Sequence, residues 1–367
     1  MIGGRIKLAR KKAGLSLRGL ADALGGRISA QAIGKYERGE MTPSSGVLLA
    51  LCQALGVSLS YLMDTQGIEL TGVDFRTKAN TSARDRAHVE TAVIEWIERY
   101  LQIERVLELD SAEWEAPVPP RMLRAAEEAE EAEDLADQVR KEWLLGRDPI
   151  PNMTELLEEK GLKVLIEDLP PRVSGFTCLV CRSGDYPELP VVVVNRCFPL
   201  ERRRLTLAHE LGHRLIDPAG LAERYEEQAA TYFASAFLMP RDHLEQEIGK
   251  HRNHLGYKEL IDLKRLYRAS GVALLVRLKN IGIINETTLI YAFQSIARGW
   301  RTEEPEELEN KKERGQRERP YRFERLCYRA LAEGLITLTK AAELLRCPID
   351  EVEAGLRGPE QPHANHR

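Results

Sequence analysis

The sequence predicts a multidomain, mainly α-helical protein that includes one small α+β domain. Its 367 residues allow roughly two or three domains, and its 43% apolar and 30% charged residues are typical of a soluble globular chain. Apolar residues recur at helical spacing along most of the chain, but one central stretch places short apolar runs after a helix. That stretch predicts a helix over residues 152–160 and strands over 162–166, 173–180 and 191–195.

Residues 1–64 form a segment with its own pattern and charge. Five short helices are predicted, and Ser16 and Ser29 stand where a hydroxyl would cap the first free backbone N–H groups of two of them. The segment holds 9 Lys and Arg against 4 Asp and Glu, a net charge of +5 in a chain of net charge −4. A basic module in an acidic chain favours a polyanion partner.

This segment resembles the Cro/C1-type (XRE-like) helix-turn-helix domain. The matching letters are Ala13-Gly-Leu-Ser16, Leu20-Ala21, Ile33-x-x-Tyr36-Glu37-x-Gly39, Pro43-Ser44 and Ala54-Leu-Gly-Val-Ser58. Two features depart from that family. The turn between the second and third helices is two residues longer, by Gly26-Arg27, and Leu17 stands where the family often has a phosphate-contacting Gln.

The resemblance implies that residues 1–64 bind DNA, with the start of the helix over 30–38 in the major groove. Four residues would face DNA: Ser29, Gln31, Ala32 and Lys35. Glutamine can pair with adenine, and lysine with guanine or phosphate, whereas Ile33 and Tyr36 are expected in the core. The alternative is a degenerate helix-turn-helix that serves protein contacts.

A second motif lies in Thr206-Leu-Ala-His-Glu-Leu-Gly-His-Arg-Leu215. His209 and His213 are four residues apart on a helical stripe, so both imidazoles can reach one metal ion. H-E-x-x-H is the pattern of zinc-dependent proteases, in which the ion acidifies water and polarises a carbonyl. Glu210 is then placed as the general base that takes a proton from that water. The alternative is a surface helix with two incidental histidines.

A third protein ligand is expected, because catalytic zinc sites usually have three and leave one position open. The next predicted helix, over residues 224–240, has Glu227 on the same face as two alanines. Those alanines and Gly212 would let the two helices approach closely, so that Glu227 points to the metal. Glu226 lies about 100° round the helix and is the less favoured ligand.

These two helices resemble the ImmA/IrrE metallopeptidases over about residues 120–285. The resemblance rests on H-E-L-G-H followed by E-x-x-A-x-x-F-A-x-x-F-L-M-P, and in that family the Glu that opens the second motif, here Glu227, is the third ligand. Thr231 departs from the usual Asn. The resemblance implies a zincin-like α+β protease domain that binds Zn²⁺, with Mn²⁺ as the other candidate ion. It also implies a regulatory protein substrate, commonly a repressor or antitoxin.

The remaining segments complete the expected organisation. Residues 121–147 are predicted as one helix with a buried stripe of Leu135, Val139, Trp143 and Leu144. Their acidic run at 127–134 is predicted as a solvated face, with a docking site for a basic partner as the alternative. The expected segments are a helical connector and Pro-rich linker (65–120), a metallopeptidase core (121–240), a winged-helix-like helical segment (241–300), a charged linker (301–320), a small C-terminal helical element (321–357) and a disordered tail (358–367). In the winged-helix-like segment, two helices are expected to lead into a strand at 281–284.

The chain has no apolar run of 18 residues and no signal peptide, so a cytoplasmic protein with no membrane contact is expected. Together the two motifs predict a DNA-binding regulatory metalloprotease of stress-response or mobile-element type. The competing interpretation is a transcriptional regulator whose metal site is structural or inactive. A structural site would need a fourth protein ligand, for which His243 is the nearest candidate in sequence. A homodimer is left open.

Overall fold

The computed structural model describes residues 2–63, 68–71, 83–109, 114–124, 128–182, 186–219 and 221–357. The tail at 358–367, expected to be disordered, lies outside these residues, as does most of the polar stretch after residue 63. Among the described residues, no helix is long and apolar enough to cross a membrane. The fold is mainly helical, as the sequence predicts, and it contains a four-stranded and a two-stranded sheet where the sequence predicts three strands.

The N-terminal domain has the five predicted helices. They are α1 (Ile2–Lys12), α2 (Leu17–Ala23), α3 (Ala30–Glu37), α4 (Ser45–Leu55) and α5 (Leu59–Met63). Ser16 and Ser29 cap α2 and α3, because their hydroxyls accept the N–H groups of Gly19 and Ala32. Gly25 and Gly26, with φ of 68° and 69°, form the lengthened turn between these helices.

The connector predicted at 65–120 is largely an integral part of the fold. Its helix α6 (Ala83–Val106) packs against α1 on one side, where Arg5 forms a buried ion pair with Glu98. Val93 and Ile97 of α6 are buried in the same core as the N-terminal domain and one face of the sheet. The N-terminal domain and the sheet are therefore joined through α6 by packing, not only by chain connection.

The main sheet has the strand order β1-β4-β5-β3, with β1 (Glu69–Thr71), β3 (Lys163–Glu167), β4 (Gly175–Cys181) and β5 (Leu189–Asn195). β3 runs parallel to β5, and β4 runs antiparallel to both β5 and β1. Every residue of β5 is buried, and its valines alternate between two cores. This explains the unbroken valine run, since a strand covered on both faces has no polar side.

The expected single helix over 121–147 is wrong in its first and last parts. Residues 121–122 instead form strand β2 (Arg121–Met122), which pairs in parallel with β6 (Ile216–Asp217). Helix α7 (Glu128–Glu142) follows, and Leu144, expected to be buried, is 90% exposed. The helix has ended before Leu144, whose φ of 56° is left-handed.

The acidic run at 127–134, of which residues 127 and 128 lie outside the described side chains, is not a simple solvated face. Glu131 accepts hydrogen bonds from the backbone N–H and Nε of Arg124, at 2.7 Å each. Glu133 receives two from Arg277, at 2.6 and 2.9 Å. The interpretation of this run as a solvated face is therefore wrong for these two acids.

Two further helices lie against the sheet and one another. They are α8 (Met153–Glu159) and α9 (Leu200–Leu215), and α10 (Glu223–Leu238) packs on both α7 and α9. The helical and strand segments predicted over residues 152–240 are thus present. α9 carries both histidines of the second motif along the face that meets α10.

The segment at 241–300 is helical but lacks the strand expected of a winged helix. It contains α11 (Arg241–Ile248), α12 (Tyr257–Tyr267), α13 (Gly271–Asn280) and α14 (Glu286–Gln294), whereas residues 281–284 form turns. Ile283 and Ile284 are buried in the core that also holds α9 and α10. These apolar residues therefore serve packing, and the expected strand is wrong.

Residues 301–320, expected to be a solvated linker, form an ordered charged strap on the side of α9 that faces away from the histidines. Glu309 pairs with Arg203 at 2.6 Å, and both side chains are at most 2% exposed. Glu318 pairs with Arg204 at 2.5 Å and is likewise buried. The expectation of a solvated linker is wrong because the acids neutralise cations about a hundred residues earlier in the chain.

The C-terminal element consists of α15 (Tyr321–Ala332), α16 (Leu338–Leu345) and α17 (Ile349–Arg357). α15 packs on α6, where Phe323 stacks on Tyr100 with ring centroids 5.5 Å apart. The element thus covers a further side of the same connector helix.

Candidate metal centre

Close approach of α9 and α10 brings the motif residues together. A Cβ added at Gly212 would lie 3.1 Å from Cδ1 of Phe233 and 3.3 Å from Cα of Ala230, so these neighbours would have to give by a few tenths of an ångström. Gly212 lies between the two histidines, within the motif itself. Its lack of a side chain therefore sets the helix separation at which a carboxylate of α10 reaches the imidazoles of α9.

Three donor groups converge between these helices, and we call His209, His213 and Glu227 the ligand triad. The two Nε2 atoms lie 3.0 Å apart. Oε2 of Glu227 is 3.3 Å from Nε2 of His209, and Oε1 is 3.4 Å from Nε2 of His213. Within the described part of the chain, no other His, Cys, Asp or Glu joins this group of potential ligand atoms.

The opposite nitrogen of each imidazole has its own partner. Nδ1 of His213 lies 3.0 Å from Oε1 of Glu226, which is buried. Nδ1 of His209 lies 3.4 Å from Oγ1 of Thr231, and that hydroxyl donates to the carbonyl of Glu227. In the tautomer in which both Nδ1 atoms donate to these partners, both Nε2 lone pairs are directed into the triad, as metal binding requires.

The triad is chemically suited to a divalent cation. Without a bound ion, a proton on Nε2 of His209 or His213 can be donated to Glu227, and this hydrogen bond lowers the pKa of that carboxyl. Two imidazole lone pairs and one carboxylate at 3.0–3.4 Å from one another repel unless a cation lies among them. Nitrogen and oxygen donors of this kind suit zinc, and the carboxylate also suits manganese.

The triad opens to a cleft of about 480 Å³, which leaves room for a fourth, non-protein ligand. Glu210 lines this cleft beside the triad and is 8% exposed. The opposite wall is Ser174 and the start of β4, residues 175–177. β1 pairs with β4 only over residues 179–181.

His243, the nearest candidate for a fourth ligand, lies elsewhere. Its Nδ1 is 2.6 Å from the hydroxyl of Tyr267, and the two rings meet edge to face. It is not among the grouped ligand atoms. The described geometry is thus that of three protein ligands and an open side.

The residues predicted to face DNA lie at the N-cap of α3 and along the helix as far as its last turn. Gln31 and Lys35 are exposed, and Ala32 is half-buried. Ser29 is exposed, but its Oγ accepts the N–H of Ala32 at 3.1 Å and so caps the helix. Ile33 and Tyr36 are buried, as expected for the core side.

Two known families match this chain, one over the region of the ligand triad and one over the N-terminal domain. Residues 157–279 match the family Peptidase M78, described as the IrrE N-terminal-like domain. This region is therefore similar to an IrrE N-terminal-like domain. Residues 6–62 match a helix-turn-helix family, which indicates DNA binding. The comparison with curated proteins finds no match.

The IrrE-like domain as matched includes the whole triad and Glu210, and it implies a metallopeptidase-type enzyme that uses a metal ion. The helix-turn-helix match includes all four residues predicted to face DNA. Helices α6 and α7 and the charged strap lie outside both matches. They nevertheless pack directly on the matched domains.

Two contributors to the centre were not assigned from the sequence. Glu226 appeared there only as a less favoured ligand, and Thr231 as a departure from the family pattern. One general signal could have found them. Metal-binding histidines almost always donate their other ring N–H to a carboxylate, carbonyl or hydroxyl, so each needs such a partner nearby.

Proposed function

We propose that this protein is a DNA-binding regulatory metalloprotease that hydrolyses a peptide bond in a partner protein, a transcriptional repressor or antitoxin. The observation that carries the proposal is the ligand triad, which opens to a cleft with a buried carboxylate beside it. The helix-turn-helix and IrrE-like matches support the two halves of this function. The choice of substrate rests on the family resemblance.

His209, His213 and Glu227 would hold the ion, zinc first and manganese second. A divalent ion bound there supplies Lewis acidity, which polarises a scissile carbonyl and acidifies water. Glu226 and Thr231 would hold the two imidazoles in the tautomer that presents Nε2 to the triad.

Glu210 would act as the general base. Its carboxylate accepts a proton from the attacking water and returns it to the leaving amine nitrogen, so that each cleavage consumes one water. Glu210 follows His209 directly in the chain and lines the same cleft. Partial burial of its carboxylate keeps bulk water from competing for that proton.

A substrate segment would lie along the wall of the cleft that residues 174–177 provide. These residues line the cleft beside the triad, and an extended peptide can add to a sheet as a further strand. This arrangement would hold the peptide bond over the triad by main-chain contacts that do not depend on side chains.

The proposal is tested with the full-length protein and the repressor or antitoxin encoded beside its gene. The partner is incubated with protein loaded with Zn²⁺ or Mn²⁺, and with chelator-treated protein, and the products are weighed by mass spectrometry. We expect two fragments whose summed mass exceeds that of the substrate by one water. The His209→Ala and His213→Ala proteins should give no fragments. Stoichiometric metal and intact DNA binding without cleavage would instead favour a regulator with a structural or inactive site.

A further inference from the structure

The four arginines of α9 fall into two pairs with different surroundings. Arg203 and Arg204 face away from the cleft and are neutralised by Glu309 and Glu318 of the charged strap. Arg202 and Arg214 line the cleft with the triad. The contacts of Arg202 and Arg214 indicate which kind of ligand these two side chains can bind.

Arg202 has no acidic partner among the described residues. Its Nη2 donates to Oγ of Ser174 at 2.8 Å, and its guanidinium lies 3.7 Å from the ring centre of Phe198. Serine and phenylalanine orient the guanidinium but leave its charge uncompensated. Most of its N–H groups remain available to a ligand, since a guanidinium has five.

Arg214 is half-buried, and its Nε has no hydrogen-bond partner within the described structure. The acidic group that influences it electrostatically is Glu188, and the two do not form an ion pair among the described contacts. A buried donor without a partner is costly unless a ligand satisfies it. Among the described residues, neither cleft arginine thus has an ion-pair partner that neutralises its charge.

The two arginines mark opposite ends of the cleft. They are twelve residues apart on α9, about 18 Å at 1.5 Å per residue, and the histidines lie between them. β4 runs beside α9, because Ser174 contacts Arg202 and Gly175 packs on Thr206, while Cys178 lies in the electrostatic range of Arg214. An extended peptide covers about 3.3 Å per residue, so roughly five or six residues span both arginines.

We propose that Arg202 and Arg214 select peptides that carry acidic side chains on both sides of the scissile bond. This inference rests on the proposed function, because a peptide meets both arginines only when it is held across the triad. A guanidinium matches a carboxylate with two parallel N–H···O bonds, which lysine and glutamine side chains of a substrate cannot accept in that form.

The test uses metal-loaded full-length protein and acetylated, amidated ten-residue peptides, so that only side chains carry carboxylates. A Glu is placed in turn at each of three positions on either side of the cleaved bond, with Gln and Lys peptides as references. We expect kcat/KM to be about tenfold to hundredfold higher for the best Glu position on each side than for Gln, and lowest for Lys.

The variants separate the two ends of the cleft. Arg202→Gln should abolish the preference on one side of the bond and Arg214→Gln on the other, while Arg202→Lys and Arg214→Lys keep part of it. Arg224→Gln is the matched control, because Arg224 is exposed on α10 and does not line the cleft. Metal content and thermal unfolding are measured for every variant.

Binding provides a readout that does not need cleavage. Fluorescence anisotropy of labelled peptides on metal-loaded Glu210→Gln protein should show the same order, Glu over Gln over Lys. Equal affinities, or equal losses for Glu and Gln peptides in both arginine variants, would overturn the inference. A wild-type protein that binds Glu peptides preferentially but cleaves none would support the arginine assignment and count against the proposed hydrolysis.

Discussion

The Nδ1 atom of His213 lies 3.0 Å from Oε1 of Glu226, on the side of the ring that faces away from the ligand triad. Glu226 is 6% exposed, so this carboxylate has little competing water. A buried acceptor at Nδ1 fixes the orientation and tautomer of the ring and raises the basicity of Nε2. Neighbouring acids of α10 therefore have different positions, Glu227 within the triad and Glu226 behind it.

Replacement of Glu226 by Ala should lower zinc affinity by about 10- to 100-fold without removing a ligand. Glu226→Gln should keep more of the affinity, because its amide oxygen can still accept the Nδ1 proton. Glu223→Ala is the control, since Glu223 is exposed on the first turn of the same helix. Competition with a chromophoric chelator measures these affinities, and an unchanged value for Glu226→Ala would contradict the role of this contact.

Glu210→Gln should retain the metal and lose peptidase activity, because an amide cannot accept the proton of the attacking water. The side chain keeps its size, so the fold and the triad should be unaffected. Loss of a positioned general base commonly costs about 10²- to 10⁴-fold in rate. Metal analysis and a cleavage assay on the same sample check both halves, and wild-type turnover in this variant would rule out Glu210 as the base.

Local patterns predicted the helices and strands well where burial follows the period of the element. The valine run of β5 and the capped helices α2 and α3 are examples, and so is the close packing at Gly212. Composition did not predict the burial of charged residues whose ion-pair partners are distant in sequence. Glu309 and Glu318 belong to a run that resembles a solvated linker, and only the tertiary fold brings Arg203 and Arg204 to them.

The site shows the same limit. The spacing of His209 and His213 and the helical face of Glu227 follow from one helix each, so they could be predicted. Glu226 contacts His213 across a helix interface, and its direction depends on how α10 lies on α9. The sequence did not predict that Leu144 is exposed. Leu144 itself has a left-handed backbone just after α7 ends, and the apolar stripe does not reveal where the helix stops.

The ion pair between Arg203 and Glu309 should matter for stability. Removal of one partner leaves a buried charge, so Glu309→Ala should destabilise the fold by about 3–5 kcal/mol. Arg203→Met combined with Glu309→Leu should recover much of that loss, since an apolar pair needs no desolvation of charge. Glu313→Ala, at an exposed position of the same strap, is the control. Denaturant unfolding checks this order, and a Glu309→Ala protein as stable as the control would contradict it.

Glu158 gives a pH-dependent prediction. Burial raises the pKa of its carboxyl from 4.5 to about 7, although Lys163 and Arg322 oppose the shift. The folded state then binds the proton more tightly than the unfolded state, so this group destabilises the fold progressively as pH rises from about 4.5 to 7. The full loss above pH 7 is on the order of 3 kcal/mol.

Glu158→Gln should therefore raise the free energy of unfolding above pH 7 and leave it nearly unchanged at pH 4.5. The difference between variant and wild type isolates this group from other carboxylates. Glu159→Gln provides the matched control, because Glu159 is next to Glu158 in the chain and its carboxylate is largely exposed. Urea unfolding at pH 4.5, 6 and 8 gives the three differences, and a gain that does not depend on pH would exclude the titration of Glu158 as its cause.

The last prediction concerns why DNA binding and proteolysis share one chain. We expect residues 1–64 to hold the protease beside a DNA-bound repressor, which converts a bimolecular encounter into a local one. The structure alters how this should be tested. Because α1 packs on α6 and shares a core with the sheet, deletion of residues 1–64 would uncover apolar residues such as Val93 and Ile97.

Point substitutions on the exposed face of α3 avoid that damage. Gln31→Ala with Lys35→Ala should weaken operator binding and slow cleavage of a DNA-bound repressor, but leave cleavage of a short free peptide at the wild-type rate. Salt should slow the first reaction much more than the second, and the loss of one phosphate contact should lower the salt slope of DNA binding by about 1. The measurement is the cleavage rate with and without operator DNA at two salt concentrations. Equal repressor cleavage by wild type and double mutant on DNA would mean that the helix-turn-helix domain does not bring the protease to its substrate.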